Sequence, residues 1–398
     1  MIPTNYDESR VGPVDLPDLM RGSDGTPVST AEDRRRCRAW LLGAFARMMY
    51  GAIPPPPDVL EIGRRELPPE FPGVRTEEID VALICRGRHF ARRLTLWRPD
   101  SARPVPVIAG LAFLGAAGAT PSPAVAVCDD AFIDGFANHG VRDGRPTEAT
   151  RGRHADRSPI PLITGAGFAL LLSGYGEWVP DHLDRWRESG LWPFLLPEDG
   201  PQRPGAISLW AWTMSRLVDA LTRLPDIDAS RIALFGHSRL GKAALWAAAN
   251  DERVGHVLIN DAGCAGTKLS RRDFGETLAH LTARYPHWLA PACPAQATRL
   301  PVDQHQLLAC VAPRGLYVAS AADDLWADPR GEYLALKAAL PFWRIGGGTP
   351  IPELPDADGA LLPGQVLRAG PLAWHLRPGV HDLTPWDWRH FLDALRAG

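Results

Sequence analysis

From residue 205 onward the apolar positions switch regularly between two spacings. Ser208 to about Leu224 sets Leu209, Trp212, Leu217 and Leu221 on one side of a helix. The run R-I-A-L-F then reads as a strand, K-A-A-L-W-A-A-A-N as a helix and V-G-H-V-L-I-N as a strand. Further on, G-L-Y-V-A-S-A reads as a strand and P-W-D-W-R-H-F-L-D-A-L-R as a C-terminal helix. Short apolar runs alternating with helices predict a mostly parallel sheet covered on both faces. The earlier chain adds strands at V-A-L-I-C, F-A-R-R-L-T-L-W, V-P-V-I-A-G-L-A-F and G-F-A-L-L-L-S-G-Y-G, with irregular chain over residues 112–160. A loop of that length in a compact domain is usually functional.

At the N-terminus, residues 1–30 read as a polar, turn-rich arm. Thr30 and Asp33 form a candidate capping box. Trp40, Leu41, Ala44, Phe45, Met48 and Met49 then mark an amphipathic helix that Gly51 and Pro54–Pro57 stop. The expected organisation is an arm with its helix over 1–60, packed on one catalytic domain over 61–398.

Composition narrows the picture. The 398 residues are 45% hydrophobic and 22% charged with net charge −3, so nothing suggests nucleic acid as a partner. No apolar stretch is long enough for a membrane span. The first residues show neither a basic nor an apolar leader region, which predicts a cytoplasmic protein, or a secreted or periplasmic one if a leader precedes this chain. A monomer is expected. Six scattered cysteines without a C-x-x-C read as buried thiols. Fourteen tryptophans suit a protein that lays flat rings against sugars.

The chemistry concentrates at G-H-S-R-L-G-K, residues 236–242. A serine between a buried strand and a helix is the setting of a nucleophile elbow, although Leu240 stands where G-x-S-x-G has its second glycine. A helix N-cap serine is the simpler alternative. Against it, Arg239 and Lys242 put two cations in the first helical turn, where they oppose the helix dipole by about 0.3–1 kcal/mol each. Such cations beside free N–H groups suit an oxyanion. Ser238 therefore reads as the nucleophile. His381, in the loop R-P-G-V-H-D-L-T, reads as its base, whereas His375 lies in a strand and His390 in a helix. Two aspartates follow strands: Asp324 and Asp261. Either could orient His381. H-E-x-x-H is absent and His305 has no partner at ligand spacing, so no metal and no cofactor are expected.

G-H-S-R-L-G-K-A-A-L-W-A and N-D-A-G-C-A-G, with L-S-R-R-D-F-G-E, L-P-V-D-Q-H, A-A-D-D-L-W-A-D-P-R-G-E and R-P-G-V-H-D-L-T, resemble the glucuronoyl esterases, carbohydrate esterase family 15. N-Y-D-E and L-P-D near the start are similar to its bacterial members. The resemblance implies an α/β-hydrolase fold, a three-layer sandwich. It implies metal-free hydrolysis of esters between (4-O-methyl)glucuronic acid on xylan and alcohols of lignin. By the same motifs, Ser238 is the nucleophile, His381 the base and Arg239 the oxyanion partner. Lys242, Trp326 and Glu276 are substrate-binding. The acid is Asp324, or Asp261, which stands 23 residues after the serine as the acid does in fungal members. One stretch departs from the bacterial pattern: G-L-A-F-L-G-A-A-G replaces G-L-N-F-x-G-N-H. The rival readings are an acetyl esterase of the same fold and a non-catalytic carbohydrate-binding relative.

Overall fold

The apolar runs of the sequence form the centre of one sheet in the computed structural model, which describes residues 2–347, 350–357 and 361–397. Ten strands build it: β1 (Val59–Leu67), β2 (Val74–Cys85), β3 (Arg88–Pro99), β4 (Val105–Ala112), β5 (Ala169–Gly174), β6 (Ile227–His237), β7 (His256–Asn260), β8 (Gly315–Ala321), β9 (Val366–Ala369) and β10 (Leu372–Arg377). Their order across the sheet is β1-β2-β3-β5-β4-β6-β7-β8-β10-β9. The stretch from β5 to β10 is parallel, and antiparallel pairs close both edges. β1 and β9 were not anticipated. β1 carries Arg64, Arg65 and two glutamates and is mostly exposed, so it lacks a clean apolar alternation. β9 is only four residues long.

Each central strand splits its side chains between two cores. Ile232 and Leu234 join one cluster, Ala233 and Phe235 the other; Leu316 and Val318 likewise oppose Tyr317 and Ala319. On the first face lie α1 (Ala31–Phe45), α2 (Ala206–Leu221), α3 (Arg239–Asn250) and α4 (Pro329–Ala339). On the second lie the short turn Ile160–Gly165 and α5 (Pro385–Ala397), which contributes Trp388, Phe391, Leu392 and Leu395. The result is the three-layer α/β sandwich expected.

Two helices repay comparison with their sequence pattern. The Thr30–Asp33 capping box of α1 is formed, with both reciprocal bonds present. α2 was expected to show one apolar side, but it is buried nearly all round. Its Ser208 explains how a polar residue survives there: Oγ donates to Gly51 O at 2.9 Å and accepts from Trp246 Nε1 at 2.9 Å. The N-terminal arm is extended but anchored, with Leu19 and Val28 in the same core as the sheet, as are Cys37 and Leu41 of α1. The expected boundary at residues 60–61 falls inside β1.

The turn from β6 into α3 depends on closeness of backbone. A Cβ on Gly236 would lie 2.1 Å from Leu240 O. Gly236→Ala is expected to lower the unfolding free energy by about 2–3 kcal/mol. Urea unfolding at unchanged m-value measures this; a loss below about 0.5 kcal/mol, the range of ordinary surface changes, would show that the turn relaxes around a methyl group.

Candidate active site

β6 carries the sheet ladder one residue past its end. Ser238 N–H donates to Asn260 O at 2.9 Å, continuing the pairing with β7. The chain then reverses, and Ser238 adopts φ 57° and ψ −127°. A side-chain-bearing residue in such a region stores about 1–3 kcal/mol of strain. The Ser238 carbonyl starts α3 by accepting from Gly241 N–H at 2.9 Å and Lys242 N–H at 3.2 Å. Arg239, the first helical residue, has no intrahelical acceptor for its N–H. The displaced glycine of the motif now has a reason. Leu240 is buried in the core, and Gly241 meets the next strand: its Cβ would lie 3.1 Å from Ala262 Cβ and Ile259 Cγ2.

His381 follows β10 in a turn around Gly379. This turn and the one after β8 extend the parallel pairing of their strands, through Ala322 N to Arg377 O at 2.8 Å and Asp323 N to Gly379 O at 3.0 Å. That zipper brings His381 Nδ1 within 2.6 Å of Asp324 Oδ2. The other Asp324 oxygen accepts from Ala327 N–H at 3.2 Å, which orients the carboxylate. The His381 ring lies against the His237 ring, centroids 4.6 Å apart, immediately before Ser238 in the chain. His237 is itself held by Asn260 Oδ1, 2.5 Å from its Nδ1.

Asp261 occupies the same neighbourhood in a different capacity. One oxygen of Asp261, one of Asp324 and a ring nitrogen of His381 lie within 4.8 Å of one another. However, Asp261 Oδ1 accepts from Ala321 N–H at 2.8 Å, and Oδ2 accepts from Asp382 N–H at 3.3 Å. It thus ties the end of β7 to the end of β8 and to the loop of His381. Burial, with the like charges of Glu332, Asp324 and Asp387, pushes its carboxyl well above the usual carboxylate range.

The two cations of the first turn are both compensated, which the sequence did not reveal. The Arg239 guanidinium donates to Asp181 Oδ2. Asp181 is fully buried after β5 and also accepts from Tyr175 Oη at 2.9 Å, His287 Nε2 at 2.9 Å and Trp288 Nε1 at 2.8 Å. The Arg239 guanidinium carbon sits 4.6 Å from the Trp288 ring centre. Lys242 is also buried; its Nζ donates to Ala262 O at 2.5 Å and Cys264 O at 2.6 Å and lies 3.7 Å from Glu276 Oε2. Glu276 N–H in turn donates to Trp326 O at 2.8 Å. The three residues expected to bind substrate therefore adjoin one another, and Trp326 is half-buried. Asp181, His287 and Trp288 had no motif to announce them. Arg157, from the long irregular stretch, also reaches the site: its Nε donates to Asp382 Oδ1 at 2.6 Å, beside His381. The altered G-L-A-F loop borders the site too, with Phe113 edge-on to His237 at 6.0 Å.

Comparison with known proteins places the chain in a family. A family model described as fungal glucuronyl esterase matches residues 187–347. Carbohydrate esterase MZ0003, from an unknown prokaryotic organism, is 31% identical over 408 residues, covering 98% of this chain and 90% of its own. The chain belongs to the glucuronoyl esterase family, carbohydrate esterase family 15. It is a carboxylic ester hydrolase of the α/β-hydrolase fold. A promiscuous esterase of family 15 from a marine bacterial metagenome superposes with a TM-score of 0.86, at 29% identity over 99% of each chain. 4-O-methyl-glucuronoyl methylesterase 1 of Sodiomyces alcalophilus is 32% identical over 36% of this chain and 31% of its own.

The Arg239–Asp181 pair gives a stability prediction. Burial alone would raise the Asp181 carboxyl, but the Arg239 guanidinium, with His287 and Trp288, holds it well below the usual range. A carboxyl depressed in the folded state adds stability above its ordinary value of 3.8, lost as pH falls through its folded value. Asp181→Asn leaves the guanidinium buried and unpaired. It is expected to cost about 3–5 kcal/mol at pH 7, a deficit that narrows below about pH 4. Chemical denaturation of both proteins from pH 7 to pH 3 measures it, and a pH-independent deficit would contradict the assignment.

Proposed function

We propose that this glucuronoyl esterase relative hydrolyses esters of (4-O-methyl)glucuronic acid, as in the links between glucuronoxylan and lignin alcohols, through Ser238, His381 and Asp324. The observation that carries the reading is the 2.6 Å contact of His381 Nδ1 with Asp324, on a ring packed beside the residue that precedes a backbone-strained serine. The name of the Sodiomyces relative supplies the substrate class.

In this mechanism Nδ1–H of His381 is held by Asp324, so Nε2 is left to accept the Ser238 proton. Ser238 Oγ attacks the uronate carbonyl, and the oxyanion forms beside the N–H of Arg239 and its guanidinium. His381 returns the proton to the departing alcohol. Water then attacks the acyl-enzyme with His381 again as base, and the free uronic acid leaves. Asp324 is the orienting acid because its carboxylate meets the imidazole directly, whereas both Asp261 oxygens already accept backbone N–H groups. Trp326 and Glu276 form a wall for the sugar ring and its hydroxyls, and Lys242 fixes the Glu276 side chain from behind.

A second reading is a broader ester specificity, favoured by the family 15 esterase described as promiscuous that superposes on this chain. Purified protein assayed on methyl glucuronate and on 4-nitrophenyl acetate distinguishes the two; a preference for the acetate would move the substrate away from uronates. Ser238→Ala is expected to lower kcat by about 10⁴- to 10⁶-fold. Equal rates for it and the unaltered protein would remove the nucleophile.

The acid is tested separately. Asp324→Asn is expected to lower kcat by about 10²- to 10⁴-fold with little change in KM. Asp261→Asn keeps one of the two side-chain oxygens that accept backbone N–H groups, and is expected to cost about tenfold or less. The reverse ranking in steady-state kinetics would transfer the role to Asp261.

A further inference from the structure

The N-terminal segment contacts the chain that carries Glu276 and packs on Trp326. Asn5 O accepts from Gly275 N–H at 2.9 Å, and Asn5 Nδ2 donates to Asp273 O at 2.7 Å. Glu8 grips Arg272 with both oxygens, at 2.8 and 3.0 Å. Tyr6 meets Phe274 edge-on, centroids 6.0 Å apart.

On its inner side the same loop is flush with Leu325 and Trp326. Gly275 has φ 57°, and a Cβ there would lie 2.4 Å from Leu325 O and 2.5 Å from Trp326 O. Glu276 N–H then bonds Trp326 O at 2.8 Å. A second route runs through His280. Thr277 N–H donates to His280 Nδ1 at 3.2 Å, which makes Nδ1 the acceptor and leaves Nε2–H for Thr4 Oγ1 at 3.3 Å. The fixed imidazole lies edge-on to the Trp326 ring, centroids 5.2 Å apart. Two separate chains of contact, one through backbone and one through a histidine, thus run from Thr4 and Asn5 to Trp326.

We infer that Thr4–Glu8 is a positioning segment for Trp326 and Glu276 and so tunes affinity for the sugar half of the substrate. This rests on the reading of those two residues as the sugar wall. It assigns a role in ground-state binding to a segment whose hydrogen bonds run to Asp273, Gly275, Arg272 and His280 rather than to Ser238 or His381. Small displacements of such a wall change binding without changing the bond-breaking groups.

The test uses the full chain with Thr4→Val and Asn5→Ala combined. Labelling with 5-fluorotryptophan gives a fluorine resonance for Trp326, assigned by its loss in Trp326→Phe. In the double variant that resonance is expected to shift, and KM for methyl glucuronate to rise about 3- to 10-fold, the loss of one or two neutral hydrogen bonds. The kcat value should stay within about twofold, and 4-nitrophenyl acetate should be cleaved as before. An unmoved resonance overturns the inference, as does an equal loss of activity on both esters. A moved resonance with unchanged KM overturns it through the sugar wall instead, and Trp326→Ala, leaving KM unchanged as well, identifies that case.

Discussion

The backbone of Ser238 is held where a serine would not rest in isolation. Its φ of 57° persists because three neighbours leave it no alternative: Asn260 O takes its N–H, the first turn of α3 takes its carbonyl, and Gly236 lets Leu240 O approach where a methyl group could not fit. Everything near the site is arranged from that reversal. It directs α3 across the first face of the sheet, and it leaves the Arg239 N–H and the Ser238 hydroxyl together at the carboxyl ends of the parallel strands. Crevices outside those ends are where open α/β sheets bind ligands.

The remaining site residues arrive on the chain that follows β4, β5, β7, β8 and β10. Their side chains meet because the turns keep pairing after the strands stop, as the bonds from Ala322 to Arg377 and from Asp323 to Gly379 illustrate. Such turns set the spacing of Asp324 and His381 more rigidly than free loops could, since each is tied to the sheet's own register. Asp261 serves the same end from beneath, bonding the backbone on both sides of the gap. The proposed division of labour between the two aspartates follows: one faces the imidazole, the other holds the frame in which the imidazole sits.

Charge burial is the second organising cost of this site. Arg239, Lys242 and Asp181 are all largely removed from water. A lone charge in that setting is expensive, and each is matched by several directed partners rather than one. Asp181 accepts from four side chains. Lys242 has two carbonyls and a nearby carboxylate. The guanidinium next to the proposed nucleophile is therefore fixed in place before any substrate enters, so little reorganisation is needed as charge develops.

The sequence by itself determined the core strands β4 to β8 and β10 with helices α2, α3 and α5, the capping box of α1, the strand–turn–helix at Ser238 and the grouping of His381 with Asp324 and Asp261. These are legible because they are local: periodicity, turn residues and short motifs are properties of adjacent positions. Tertiary structure alone decided the rest. α2 was read as one-sided because its pattern is amphipathic, yet the N-terminal chain covers its other side. Exposed β1, with its charged alternation, is a strand only because β2 pairs with it. Asp181, His287, Trp288 and Arg157 lie 57, 49, 50 and 81 positions from Ser238, with no motif linking them. Which aspartate meets His381 was likewise undecidable along the chain, because it depends on which carboxylate oxygens the neighbouring backbone has already engaged.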